Sequence, residues 1–136
     1  MQKFELILLD GLPPDRQMSF YKLSVDGKCP FDDFWAEISK GGNLSGDLEK
    51  VQTIISFIAQ GQKVPQSWFD ELKHRPKGDN YKDFEIRGGR LRVYLFEDVE
   101  EGKIIVTGEV KKDSKGQQRE IDKMRKLKIA YFFSKG

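Results

Sequence analysis

Residues 83–110 constrain the fold more than any other part of the chain. Phe84 and Ile86 alternate with Glu85 and Arg87, Gly88-Gly89 breaks the run, and Leu91, Val93 and Leu95 then alternate with Arg90, Arg92, Tyr94 and Phe96. Side chains on a strand point to opposite faces in turn, so a period of two with a glycine break reads as two antiparallel strands joined by a tight turn. Glu100, Glu101 and Gly102 make a second break. Residues 104–110 complete a three-strand meander, and the consecutive Ile104, Ile105 and Val106 suit a central strand buried on both faces. Such a meander needs other elements to cover it.

The remaining segments supply that cover. Residues 4–9 and 19–25 read as strands; Asp10-Gly11 and Pro13-Pro14 end the first and Asp26-Gly27 closes the second, which together imply an N-terminal hairpin. Phe31, Phe34, Trp35 and Ile38 follow helical spacing up to Gly41-Gly42. Ser45 is placed to cap a longer helix in which Leu48, Val51, Ile54, Ile55 and Ile58 recur at three and four residues, with Gly61 as its C-cap. Residues 62–82, punctuated by Pro65, Pro76 and Gly78, read as a mostly irregular connector. A polar loop at 111–116 precedes a final helix from Gln117 onward, with Ile121, Met124, Leu127 and Tyr131 on one stripe and bases on its other faces. The order predicts one α+β domain over residues 1–136, with N-terminal helices and a C-terminal helix covering one sheet. Dinucleotide and nucleotide-triphosphate folds lose support, because no βαβ alternation is visible and Gly88-Gly89 lacks the glycine spacing of a phosphate loop.

Composition narrows the chemistry. A single cysteine, Cys29, cannot form an internal disulfide, and with the single histidine, His74, it cannot build a structural zinc cluster, so neither metal nor cofactor is expected. Glu5 and Asp10 interrupt the apolar opening, and no segment nears the roughly 18 unbroken apolar residues of a membrane helix, so a cytoplasmic protein is expected. Charge is unevenly spread. Residues 1–70 hold 7 Lys and Arg against 10 Asp and Glu, whereas residues 71–136 hold 17 against 12, which puts any anion-binding face in the C-terminal half.

Within that half, alternation places Arg90 and Arg92 on one sheet face, with Arg87 in the neighbouring strand. Two readings stay open: a solvated face balanced by Asp83 and Glu85, or a platform for phosphate, which the planar guanidinium fork grips with paired hydrogen bonds. Lys111, Lys112 and Lys115 follow the third strand, and antiparallel pairing returns them to the start of the second, beside those arginines. A solvated lysine run is the plain alternative to an RNA or phosphate site.

The spacing of these residues resembles a known family. Asp83-Phe84-Glu85-Ile86-Arg87, Leu91-Arg92-Val93-Tyr94, the run from Ile105 to Lys112, then Lys115, Glu120-Ile121, Lys123 and Tyr131-Phe132 are similar to the RelE/HigB-type toxins of bacterial toxin–antitoxin modules, in particular the phage-related HigB-like branch. Phe20-Tyr21 to Gly27, with Pro30, Phe31 and Phe34, resembles the opening strand and first helix of that branch. The resemblance implies a RelE-like fold with a curved antiparallel sheet backed by helices, ribosome-dependent endoribonuclease activity on messenger RNA, and a helix-turn-helix antitoxin as partner. Arg92, Lys111, Lys112 and Tyr131 then fall on catalytic positions, and Arg87, Arg90, Lys115 and Lys123 on RNA-binding ones. Where relatives often carry His-Gly and Thr-Pro, this chain has Thr107-Gly108 and Gly116-Gln117. Two other outcomes stay within reach of the same resemblance: a ParE-like inhibitor of DNA gyrase, and a non-catalytic relative that only binds antitoxin or RNA.

The implied reaction uses the 2′-hydroxyl of the RNA to attack the adjacent phosphate. Histidine is the usual base, but His74 lies in the connector, far in sequence from the basic segments. Crowded cations disfavour one another's charge, which makes Lys111 or Lys112 a possible base. Arg92, with Arg87 or Arg90, would stabilise the charge growing on the phosphorane. The acid for the leaving oxygen has no assigned residue. Tyr131 fits either stacking and proton transfer or plain packing on the helical stripe.

Overall fold

The N-terminal hairpin forms as expected, β1 (Phe4–Leu8) pairing antiparallel with β2 (Phe20–Val25) so that Phe4 opposes Val25 and Leu8 opposes Tyr21. This computed structural model describes residues 2–136. α1 (Pro30–Gly41) starts on a proline, whose fixed φ suits the first helical position, and ends at Gly42 with φ 76°, whose N–H reaches Ile38 O. α2 (Ser45–Ala59) buries Leu48, Val51, Ile54, Ile55, Ile58 and Ala59. Ser45 does not cap it: Leu44 occupies that position, and no side-chain cap bond is made. At the far end Gln60 is the cap, and Gly61 follows with φ 78°.

The connector is more ordered than its prolines suggest. Within it lies β3 (Phe69–Glu71), antiparallel to β4 (Asp83–Gly88), because the β4 edge offers free backbone groups and the Phe69 ring stacks on Phe84 at 5.0 Å. β4, β5 (Leu91–Asp98) and β6 (Gly102–Val110) form the expected meander. α3 (Ser114–Lys135) starts three residues before Gln117, since the Asp113 carboxylate accepts the Gly116 N–H at 2.8 Å and caps the helix there.

The six strands make one sheet in the order β1-β2-β6-β5-β4-β3. The sheet is mixed, which corrects the expected antiparallel one: β2 and β6 run parallel, Phe20 opposite Lys103 and Lys22 opposite Ile105. The chain between them returns through helices and three strands, a connection long enough for a parallel pairing. Gly102, at φ 137°, lets this junction close, for a Cβ there would strike the Ser19 carbonyl, which instead accepts the Lys103 N–H at 3.0 Å.

The helices split between the two faces. α1 and α2 pack on a core that includes Phe20, Val51, Ile54, Val93, Leu95 and Ile105; α3 covers a second core with Leu23, Tyr94, Phe96, Val106, Met124 and Tyr131. β5 therefore sends Leu91, Val93 and Leu95 one way and Tyr94 and Phe96 the other. On α3, Met124 and Tyr131 are buried as expected, while Ile121 and Leu127 are half-buried. Not every base points outward, because Arg125 and Lys128 are buried against Asp83 and Asp79. Among the described residues no helix is long and apolar enough to cross a membrane.

Candidate functional site

The β4–β5 register sets Arg87 directly opposite Arg92. Like charges so placed repel, and each is satisfied differently. Arg87 is committed to protein acceptors, its Nε on Glu85 Oε1 at 2.5 Å, Nη2 on Asp70 Oδ2 at 3.4 Å and Nη1 on Gln66 O at 3.4 Å. Arg92 is pinned by one nitrogen: Nη1 donates to Gly89 O and Leu91 O, both at 2.9 Å, and no described residue accepts from its Nε or Nη2. Arg90, expected on the face of Arg92, lies in the two-residue turn instead, where strand alternation stops; its backbone N–H is held by Asp47 at 2.9 Å. Arg87 is therefore the register partner that shares a face with Arg92.

The end of β6 arrives at the same corner. Lys111 N–H bonds Arg90 O at 2.7 Å, so Lys111 and Lys112 leave the sheet beside the β4–β5 turn, as the meander requires. Both lysines are exposed, as are Lys115 in the first turn of α3 and Lys123 two turns on. Lys112 and Lys123 border a groove of about 430 Å³ between α1 and the start of α3, floored by Thr107–Val110 of β6. Gly108 makes room for its wall: a Cβ there would sit 2.5 Å from the Phe34 ring.

Glu109, on that floor, was not singled out for a role by the sequence reading. It faces Arg92 across the strands. Its Oε2 accepts the Tyr94 hydroxyl at 2.7 Å, while its Oε1 is buried with no hydrogen-bond partner. Burial pushes its carboxyl above the ordinary range; the Tyr94 hydrogen bond and Lys112 pull it down, and Glu120 and Glu85 push it further up. Burial and the same bond raise the Tyr94 phenol. One signal was present in the sequence: an acid at an inward position of a strand otherwise rich in Ile and Val.

Tyr131 stands apart from this corner. Its hydroxyl donates to Asp98 Oδ2 at 2.8 Å, six residues along β5 from Arg92, roughly 20 Å at the rise of a strand. Its ring packs on Phe96 and edge-on to Phe4 and Phe132. His74 is exposed in the 72–82 segment at φ 62°, its carbonyl taken by Arg125 of α3. The structure thus gathers Arg87, Arg92, Lys111 and Lys112 at one corner, adds Tyr94 and Glu109, and leaves Tyr131 at the opposite end of the sheet. No family model, curated protein or solved structure matches this chain.

Proposed function

We propose that this chain is a RelE/HigB-like toxin that cleaves messenger RNA on the ribosome, with the corner around Arg92 as its phosphate site. The observation that carries the reading is the Arg92 guanidinium, anchored on two carbonyls yet with Nε and Nη2 free, beside Lys111 and Lys112. A guanidinium fixed in place before the substrate arrives is suited to the charge that grows on a phosphorane, because no reorganisation is needed when the reaction occurs. The exposed Lys111, Lys112, Lys115 and Lys123 would track the RNA backbone. The element order, two helices before a three-strand meander and one helix after it, supports a RelE-like fold. A helix-turn-helix antitoxin is the partner this reading requires, and the corner is what it would silence.

A second reading has its own observation: Thr107 stands where relatives often carry histidine, and His74 belongs to another part of the molecule. That favours a binding protein, either ParE-like on gyrase or a non-catalytic relative. Induction in bacteria without a partner separates the readings. The nuclease reading expects growth arrest and shortened ribosome-bound messages, both relieved by Arg92→Ala, since losing one transition-state donor costs about 10²- to 10³-fold in rate. Arrest with intact messages and altered plasmid supercoiling would favour the gyrase inhibitor. Unaltered toxicity in both Arg92→Ala and Lys112→Ala would overturn the phosphate site.

A further inference from the structure

We infer that Glu109 is the proton acceptor of the site, taking the proton of the attacking 2′-hydroxyl on its unpartnered Oε1; this rests on the RNA-cleaving reading above. Three observations converge. Glu109 is 6% exposed, and one of its carboxylate oxygens is buried without any partner, a costly state that folding alone does not require. The other oxygen is fixed by the Tyr94 hydroxyl at 2.7 Å, which sets the orientation of the carboxylate. The residue also lies on the floor of the groove and directly across from Arg92, where a phosphate held by the free guanidinium edge would place its neighbouring ribose within reach. Arg92 does not quench Glu109: no ion pair joins them among the described residues, and Nη1 is turned to the carbonyls of Gly89 and Leu91. Beside Glu109 on the groove wall, Lys112 is exposed and Glu120 half-buried, and the assignment requires bound RNA to displace such side chains to reach Oε1.

The step balances without any added reagent. The 2′-oxygen forms a bond to phosphorus as its proton passes to Glu109 Oε1; the bond from phosphorus to the 5′-oxygen breaks, and that oxygen takes a proton from Lys112 Nζ. The products are a 2′,3′-cyclic phosphate and a 5′-hydroxyl, and exchange with water returns both groups to their starting states. Burial strengthens Glu109 as a base by raising its carboxyl. The charged and titratable groups facing it are Arg92 and Tyr94 of β5, Glu85 of β4, Glu120 of α3 and Lys112 of the loop. Across the groove stand Asp33 and Glu37 of α1 and Lys123 of α3.

The test is single-turnover cleavage of ribosome-bound message by the full chain between about pH 5 and 9, with thermal unfolding of each variant alongside. Glu109→Gln keeps the shape and the acceptor for Tyr94, and is expected to lose about 10²- to 10⁴-fold in rate while melting no lower than the parent, since a buried ionised carboxyl destabilises the fold above its native pKa. Tyr94→Phe, a positioning variant, is expected to lower the rate less than Glu109→Gln does and to shift the acid limb to higher pH, because the lost hydrogen bond both oriented the carboxylate and favoured its charged form. Parental rates and an unchanged acid limb in Glu109→Gln would overturn the assignment while leaving the nuclease reading intact. A Glu109→Gln protein that melts well below the parent, with no shift of the acid limb in Tyr94→Phe, would make Glu109 structural. Absence of cleavage by the parent would remove both readings.

Discussion

Arg125 of α3 grips both oxygens of Asp83 on β4, Nε on Oδ2 at 2.8 Å and Nη2 on Oδ1 at 3.2 Å. Lys128, one turn on, places Nζ 2.8 Å from the same Oδ2 and 2.8 Å from Asp79, and Arg125 also ties down the carbonyls of Lys73 and His74. All four charged side chains are buried, so each is tolerated only because the others are present. The final helix is therefore seated as much by charge as by its apolar stripe.

Removing one member of such a cluster leaves its partners charged and dry. Asp83→Ala is expected to cost about 3–5 kcal/mol, read as a lower denaturant midpoint. Asp83→Asn, which keeps an acceptor for Arg125, should lose less. A loss under about 1 kcal/mol in Asp83→Ala would mean that water or a rearranged Asp79 replaces the pair, and that charge does not seat the helix.

The same cluster shows what periodicity could and could not reveal. Leu91, Val93 and Leu95 announced a strand because alternation is local, and the β4–β6 meander follows from short turns. The parallel pairing of β2 with β6 depends on residues some 80 positions apart, for which no local pattern exists. β3 was hidden for a different reason: three residues flanked by prolines show no alternation, and the strand exists because β4 has an edge to pair with. Arg125 and Lys128 look like surface bases on a helical wheel, and only Asp79 and Asp83 make their burial possible. At the candidate site, alternation brought out Arg92, and the turn brought Lys111 and Lys112 to it. Tyr131 went elsewhere because a helix of 22 residues spans the sheet from one end to the other.

Met124 and Leu127 were read as equivalent on the α3 stripe, and the structure separates them. Met124 is fully buried in the second core while Leu127 is half-buried. Met124→Ala should therefore cost about 2–5 kcal/mol, and Leu127→Ala clearly less. Lys123→Ala, on an exposed position, should stay within about 0.5 kcal/mol of the parent. Denaturant unfolding of the three variants gives the ranking, and a Leu127→Ala loss equal to that of Met124→Ala would contradict the packing described.

Gly88 was expected to form the turn, yet it ends β4 and lies under α2. A Cβ there would strike the Val51 side chain and come within 3.0 Å of the Asp47 carbonyl. Asp47 is also the residue whose carboxylate holds the Arg90 N–H, so Gly88→Ala pushes on the turn whose Gly89 carbonyl helps to pin Arg92. Overpacking of this kind costs about 1–3 kcal/mol. On the proposed nuclease reading, the variant should also lose RNA cleavage beyond what its stability explains, measured well below its melting temperature. Full activity at parental stability would mean that α2 does not support the turn.

Asp98 links Tyr131 to the acid stability of the fold. Burial works against its charge, but hydrogen bonds from Lys135 at 2.6 Å, from Tyr131 at 2.8 Å and from the Glu100 backbone at 3.0 Å outweigh it and hold the carboxyl below its ordinary range. A carboxyl lowered by folding stabilises the protein fully above its unfolded pKa, near 4, and that contribution drains away as pH falls through the lower native value. Tyr131→Phe keeps the ring on Phe96 and removes one of the bonds that favour the charged form, so the native pKa of Asp98 should rise toward the unfolded one. At pH 7 the variant should lose about 1–3 kcal/mol, the usual cost of a buried hydrogen bond to a charged group. At pH 3, where the parent is also losing this contribution, the gap should narrow. On the proposed nuclease reading, cleavage by Tyr131→Phe at pH 7 should match the parent, because its hydroxyl bonds Asp98 and not the corner around Arg92. A stability gap that stays constant from pH 7 to pH 3 would detach Tyr131 from Asp98, and loss of cleavage without loss of stability would return Tyr131 to the active site.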